Sequence, residues 1–317
     1  MFVRGVAGFV CAWALVGCNV DQATFYPQCQ ARTVTAFGDV SFDSSGGPRC
    51  PVTSPMITNR EVLPAGSATA IACEDDAVCV LKMTGQIECL GQPPPGLPTT
   101  TFTQIAIGEN DGCGVHMDGA LECWGRKLGQ TPVPSGVFKQ VSVAANAHAC
   151  AVAADDHVEC WGDNAVGQAT SPAGSFKKVA AASTYSCGLK LDGAIACWGS
   201  TGSLYLGAPH VDAPAPGTYV DLASDGVGMI AVASDGHLVR WNIATERLPE
   251  GPFVHAGVSS LGDVCGLTAD GTAKCTSAIG TSSERFKEIC MAYYPYVCGV
   301  RTDGALYCFG DMRGAKF

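Results

Sequence analysis

Charge is scarce in this chain. Only 15% of its 317 residues are Asp, Glu, Lys or Arg, well under the quarter typical of soluble domains. The balance is acidic, at a net charge of −10, and no basic run occurs anywhere. Binding to nucleic acid needs clustered Lys and Arg to neutralise phosphates, so nucleic acid is excluded as a partner. Electrostatic docking on anionic lipid is excluded for the same reason. Helical periodicity is missing too: the region after about Pro64 never repeats apolar residues at the spacing of an amphipathic helix. The six histidines, His116, His148, His157, His210, His237 and His255, show no metal-ligand spacing, so neither a metal nor a cofactor is expected.

Two strings look like catalytic motifs and lack the context those motifs require. Gly226-Val227-Gly228-Met229-Ile230-Ala231 spells a dinucleotide fingerprint, but no helix follows it. Ser175-Phe176-Lys177-Lys178 spells S-x-x-K at the start of a strand-like segment. No catalytic residue is named from the sequence, and the chain reads as a protein that is not an enzyme.

What the chain has in abundance is cysteine, 18 residues in all. Twelve fall into pairs of constant spacing: Cys79/Cys89, Cys113/Cys123, Cys150/Cys160, Cys187/Cys197, Cys265/Cys275 and Cys298/Cys308. The clearest copies read CGVHMDGALECWG from Cys113, CGLKLDGAIACWG from Cys187 and CGVRTDGALYCFG from Cys298. A further copy, Ile230 to Trp241, lacks both cysteines together, as the loss of a disulfide would require. Between the cysteines of each pair sits a turn, Asp-Gly in four of the six pairs, which is a strong hairpin signal. A three-residue loop such as Leu191-Asp192-Gly193 sets Cys187 directly opposite Cys197, close enough for a disulfide. The last turn residue must then be left-handed, which suits Gly85, Gly119, Gly193, Gly236, Gly271 and Gly304, with Asp156 as the exception.

An aromatic-led, strand-like segment precedes each of five hairpins: Phe102 to Gly108, Phe138 to Ala144, Phe176 to Ala182, Tyr219 to Ser224 and Phe286 to Ala292. Each unit thus reads as three strands and a short fourth piece. Units of about 33–43 residues, repeated along the chain, are the pattern of β-propeller blades. The fold class is therefore all-β, a seven-bladed β-propeller over 64–317. Strand polarity puts all Asp-Gly turns on one rim. The opposite rim is variable, and loops on a rigid scaffold usually carry recognition. Its candidate binding residues are Glu74, Asp75, Asp76, Glu109, Asn110, Asp111, Asn146, His148, Thr184, Tyr185, Asp263, Tyr293, Tyr294 and Tyr296.

The run C-G/A-x-x-x-D-G-x-h-x-C-W-G, where h is apolar, together with the aromatic-led strand before it, resembles the regulator-of-chromosome-condensation (RCC) repeat family. The resemblance spans about Pro64 to Phe317 and implies a seven-bladed propeller. It does not imply one function, because the family includes nucleotide-exchange factors, a secreted β-lactamase inhibitor and many bacterial proteins without an assigned role. Leu90, Thr276 and Phe309 stand where that pattern has Trp.

At the N-terminus, Arg4 precedes an apolar run from Gly5 to Leu15 that is too short to span a bilayer and reads as a signal-peptide core. The run ends in Leu15-Val16-Gly17-Cys18, which resembles a bacterial lipoprotein box. That resemblance implies a signal peptide over 1–17, lipidation of Cys18 and, with Asn19 next, sorting to the outer membrane. Residues 18–63 read as a lipidated tether. An exported chain keeps its cysteines oxidised, so Cys29, Cys50, Cys73 and Cys290 are also expected in disulfides. Cys73 and Cys290 occupy near-equivalent strands of the first and last units, and a bridge between them would staple the ends of the array, leaving Cys29 with Cys50. Crossed pairings, Cys50–Cys290 or Cys29–Cys73, remain open. The functional expectation is a monomeric, lipid-anchored envelope protein that binds a protein or glycan. A propeller enzyme with a channel active site is the alternative. Nucleotide exchange on a GTPase is a second, opposed by export.

Overall fold

The computed structural model describes residues 59–74, 77–145, 148–200, 214–224, 228–241, 248–259, 262–276, 279–291 and 296–310. These residues are strand and turn apart from one short 3-10 turn, Leu128–Gln130. The first strand, β1 (Asn59–Leu63), lies upstream of the first unit. Unit one holds β2 (Ala68–Glu74), β3 (Ala77–Lys82) and β4 (Ile87–Gly91); unit two holds β5 (Gln104–Ile107), β6 (Asp111–Val115) and β7 (Leu121–Gly125). Unit three holds β8 (Phe138–Val143), β9 (His148–Ala153) and β10 (Val158–Gly162); unit four holds β11 (Phe176–Ala181), β12 (Tyr185–Lys190) and β13 (Ile195–Gly199). Unit five holds β14 (Tyr219–Ser224), β15 (Met229–Ala233) and β16 (Leu238–Trp241). Unit six holds β17 (His255–Val258), β18 (Val264–Leu267) and β19 (Thr272–Cys275); unit seven holds β20 (Thr281–Met291), β21 (Tyr296–Arg301) and β22 (Leu306–Gly310). Units one to five are separate antiparallel three-stranded sheets. The array is a β-propeller.

Four strands per unit is the sequence expectation, and units one to three depart from it, with no fourth strand after β4, β7 or β10. Among the described residues only units six and seven gain a fourth strand. The long β20 pairs with β19 before it enters unit seven, and β1 pairs with β22. Proline explains the difference. The segments after β4, β7 and β10 carry Pro93, Pro94, Pro95, Pro132, Pro134 and Pro172, which lack the N–H a ladder needs. The run Thr281–Arg285 has no proline and pairs. The sheet region also begins at β1, upstream of the boundary at 64. Asn59–Leu63 carries no repeat motif because it contributes only an edge.

The hairpins follow the expected register. Each cysteine of a pair lies directly opposite its partner, as in Cys187↔Cys197. Cys79–Cys89, Cys113–Cys123, Cys150–Cys160, Cys187–Cys197, Cys265–Cys275 and Cys298–Cys308 are all bridged, with Cα separations of 4.0 to 4.1 Å. The chain-entropy model assigns each about 2–3 kcal/mol.

The two ends of a bridge are not equivalent, a difference that the repeat pattern does not convey. The first cysteine of every pair is fully buried. Cys89, Cys123, Cys160, Cys197 and Cys275 are only half-buried, whereas Cys308 is buried. Strand position explains this. The third strand is an outer strand in units one to four, and Cys275 lies past the last rung that β19 shares with β20, Lys274↔Thr281. Cys308 instead has Arg60 of β1 opposite it.

The third turn residue has positive φ in all seven units, from 76° at Asp156 to 88° at Gly193. Its carbonyl accepts the backbone N–H of the residue leading the next unit. The bonds run Phe102 to Gly85, Phe138 to Gly119, Phe176 to Asp156, Tyr219 to Gly193, Phe253 to Gly236 and Phe286 to Gly271, at 2.7–2.9 Å. Ala68 of unit one makes the same bond to Gly304 of unit seven at 2.9 Å.

The apolar core is divided in the same order. Seven buried clusters each join two consecutive units, and one of them packs Ala68, Ile71, Val78 and Val80 of unit one against Tyr296, Cys298, Val300, Leu306 and Cys308 of unit seven. Cys73 and Cys290 are bridged, with a Cα separation of 5.6 Å. Of the two pairings left open, the one joining first and last units is present. Cys29 and Cys50 lie outside the described residues, as do 1–17 and Cys18 of the expected leader.

Lead residue and cysteine neighbour fit each other. A Cβ on Gly114, Gly188, Gly266 or Gly299 would stand only 2.3–2.6 Å from the ring of Phe102, Phe176, Phe253 or Phe286. Unit one reverses the sizes: its lead residue is Ala68, and Val80 follows Cys79.

The turn generates a prediction. At Gly271 φ is +83° and a Cβ would meet the Phe286 carbonyl at 2.7 Å. Gly271→Val is expected to cost about 2 kcal/mol or more. Asp156→Gly trades left-handed strain for an exposed contact with Lys139 and should stay within about 1 kcal/mol of neutral. Thermal denaturation measures both, and a tolerated Gly271→Val contradicts this view of the turn.

Candidate functional site

Five of the residues expected on the variable rim share one repeat position, two before the first cysteine: Asp111, His148, Tyr185, Asp263 and Tyr296. The structure turns four of them inward and leaves Asp263 half-buried. Tyr185 and Tyr296 lie in the clusters between units four and five and between units seven and one. Asp111 is buried, and its Oδ1 accepts the N–H groups of Lys127 and Leu128 at 2.7 and 2.9 Å. Asp263 Oδ1 accepts the Thr276 hydroxyl at 2.7 Å. These side chains are engaged in contacts within the fold. The position opens the second strand in units two, three, four and seven, where a polar side chain can satisfy the loop folding back over it.

His148 shows the same position at its most buried, with 0% exposure. Its Nε2 lies 2.9 Å from Ser186 Oγ of the next unit. That hydroxyl donates to the Gln168 carbonyl at 3.2 Å, so it accepts from the imidazole. Burial depresses the His148 pKa to about 4, against the attraction of Asp163. Of the remaining rim residues, Glu109 is exposed, and Glu74, Asn110 and Thr184 are half-buried. Asp75, Asp76, Asn146, Tyr293 and Tyr294 lie outside the described residues.

A polar constellation absent from the sequence expectation sits at the third residue of the first strand, counted from the lead residue. Gln104 Oε1 accepts the N–H of Val141 in the next unit at 2.9 Å, and its Nε2 donates back to the Val141 carbonyl at 3.1 Å. Gln140 repeats this with Val179, at 2.9 and 3.0 Å. Glu288 Oε2 accepts the Ile71 N–H of unit one at 3.2 Å. Between these, Lys178 of unit four and His255 of unit six both turn onto Asp221 of unit five. Lys178 Nζ lies 2.6 Å from Asp221 Oδ1, and His255 Nδ1 lies 3.3 Å from Oδ2. The Ala256 N–H also donates to Oδ2 at 3.3 Å.

Burial alone would raise the Asp221 pKa, but Lys178 and His255 outweigh it and hold the carboxyl at about 2. The bond to Asp221 raises the His255 pKa against desolvation. Glu288 keeps contact with water. Even so, crowding by its surroundings raises its pKa, against the Ile71 N–H, Lys178 and His255. The side chain of Asp221 is 6% exposed and that of His255 55%, so a buried carboxylate anchors an accessible imidazole. The sequence held one signal of this group: the third strand residue runs Gln104, Gln140, Lys178, Asp221, His255, Glu288, polar where a strand packed on both faces would be apolar.

The Asp-Gly rim holds another unanticipated feature. Among the described residues, six of the eight exposed large apolar side chains lie on it: Met83, Met117 and Leu191 at the first turn position, and Val137, Val220 and Val254 beside the lead residues. Met83 and Met117 are 72% and 87% exposed.

His148 supplies a pH prediction. A histidine depressed in the folded state stabilises above its unfolded value near 6.5, and that contribution is lost as pH falls toward its folded value. With the folded value at about 4, the loss amounts to roughly 3 kcal/mol. The acid arm of the stability profile is expected to flatten over this range in His148→Asn, measured by denaturant unfolding. An unchanged arm contradicts the assignment.

No protein-family model matches this chain, and no curated protein matches it. Solved structures do resemble it. The CRINKLY WD40 ectodomain from the Arabidopsis thaliana receptor kinase ACR4 superposes with a TM-score of 0.63 at 21% identity, covering 79% of this chain and all (100%) of that one. Human WBSCR16 gives 0.57 at 13% identity, covering 78% and 88%. The entire ectodomain from the Physcomitrella patens receptor kinase CR4 gives 0.55 at 20% identity, covering 78% and 74%. At these identities the likeness establishes the β-propeller fold.

Proposed function

We propose that this chain is a non-enzymatic protein-binding module, a closed seven-bladed propeller of the RCC-repeat type that engages its partner with the Asp-Gly rim. The observation that carries this reading is the placement of Met83, Met117, Leu191, Val137, Val220 and Val254, exposed together on that rim. Large apolar side chains left in water along one rim are the kind of surface that partners cover. Methionine adapts to uneven partner surfaces. Apolar tips favour a protein over a glycan.

Closure is supported by the Ala68–Gly304 bond, the Ile71–Glu288 bond, the shared core of units one and seven and the Cys73–Cys290 bridge. Export to an oxidising compartment is supported by the seven disulfides among the described residues. Two of the similar structures are receptor-kinase ectodomains. Lipid anchoring at Cys18 and residence at the outer membrane rest on the N-terminal sequence.

The second reading, an enzyme acting at the strand face that carries Asp221, is favoured by the Asp221–His255 pair beside Glu288. A carboxylate behind an accessible imidazole is an acid–base arrangement. A turnover lost on His255→Gln and untouched by changes at Met117 would support it.

The binding reading is tested with the full-length chain carrying Met83→Asp, Met117→Asp and Leu191→Asp together. Cross-linked capture from envelope extracts should fall at least about tenfold relative to the parent, as expected when central apolar anchors are lost, with an unchanged melting temperature. Equal capture by parent and variant contradicts the placement of the binding face.

A further inference from the structure

Unit five is built differently from its neighbours. Where the other six units have a disulfide, unit five opposes Ile230 to Arg240. Arg240 instead reaches sideways to the Gly262 carbonyl of unit six. Unit five is thus the one repeat without a covalent pin across its hairpin, and it is also the one that supplies Asp221. That single carboxylate holds unit four through Lys178 and unit six through His255 and the Ala256 N–H. At the corresponding junctions of units two to four, neutral glutamines do the same job.

We propose that unit five is a releasable blade: its hairpin carries no disulfide, and a pH-responsive ionic clasp of Lys178, Asp221 and His255 fastens it to units four and six. The groups facing the clasp are few. Glu288 of β20 adds favourably to the His255 cation, and Lys178 opposes it. Lys177 of β11 adds a bond to the Tyr219 carbonyl at 3.3 Å. The direction with pH follows from the two titrating partners. Asp221, held at about 2, contributes fully above the ordinary carboxylate value of ~3.9 and is lost only as pH falls below it. His255 is raised, so its contribution is fully present below ~6.5 and is lost as pH rises through its higher folded value. The clasp is therefore tightest in mildly acidic surroundings and loosens as pH rises through the raised folded value of His255. Loosening costs unit five more than any other unit, because no bridge holds β15 to β16.

Hydrogen exchange on the intact protein, corrected for intrinsic rates and compared between about pH 5.5 and pH 8.5, tests this clasp, since local opening is read residue by residue. Protection in β14, β15 and β16 should be lower at the higher pH, while β6 and β7 of unit two stay unchanged. His255→Gln should remove that pH dependence, and Asp221→Asn should lower protection of unit five at both values. Ile230→Cys with Arg240→Cys places cysteines at the register of the native pairs, and the oxidised variant should restore protection at the higher pH. The proposal is overturned if unit five is as protected as unit two throughout, or if His255→Gln keeps the pH dependence. Should the double-cysteine variant fail to fold, the two single substitutions decide the matter.

Discussion

The bond from each turn carbonyl to the next lead residue is the constraint on which the architecture depends. It requires a left-handed residue at the third turn position, because only that conformation closes the three-residue loop and leaves its carbonyl pointing outward. The same residue sets the hairpin register that opposes the two cysteines. One backbone conformation therefore governs both the inside of a unit and its junction to the next. Six glycines and Asp156 fill the position, and all seven carbonyls are used. The core follows suit, one apolar cluster per junction. Stability in such an array is approximately a sum of unit and nearest-neighbour terms, so a defect at one unit stays local unless the junctions compensate.

Compensation is visible where the repeat departs from its own pattern. Unit one lacks the aromatic lead residue and fills the space with Val80 in place of glycine. Unit five lacks the disulfide and carries instead lateral contacts to both neighbours, through Asp221 and Arg240. These links differ in kind from the disulfides. A disulfide is indifferent to pH, whereas a histidine–carboxylate contact titrates in the range where envelopes and secretions vary. The exchange of one for the other gives the array a soft point at a defined place.

The parts of the fold legible in the sequence are those fixed by local chemistry. Asp-Gly turns, their left-handed third residue and the opposed cysteines recur with little variation, and repetition turned weak local signals into a register. The unique pair Cys73 and Cys290 also pointed to the junction of first and last units. Inter-unit placement was harder to read. Tyr185, Tyr296, His148 and Asp111 sit beside loops in the sequence but face inward in space, since the direction of a strand's first residue depends on which face the next unit covers. Units one to three lack the expected fourth strand because proline content, not unit length, decides whether the return segment can pair. The same edge effect leaves Cys89, Cys123 and Cys160 half-buried and covers Cys308, although the four share one motif position. Lys178, Asp221 and His255 lie far apart in the chain and meet only through the stacking order of units four to six. The exposed methionines look like ordinary turn residues until their common rim is seen.

The proposed closure of the repeats into a ring requires that unit seven meet unit one. Its most direct test is peptide mapping of the native, thiol-blocked protein under non-reducing conditions. A cross-linked peptide joining Cys73 to Cys290, 217 residues apart, is the expected result, and in the chain-entropy model such a bridge contributes about 5 kcal/mol. Cys73 or Cys290 found blocked as a free thiol, or bridged to Cys29 or Cys50, would contradict the account.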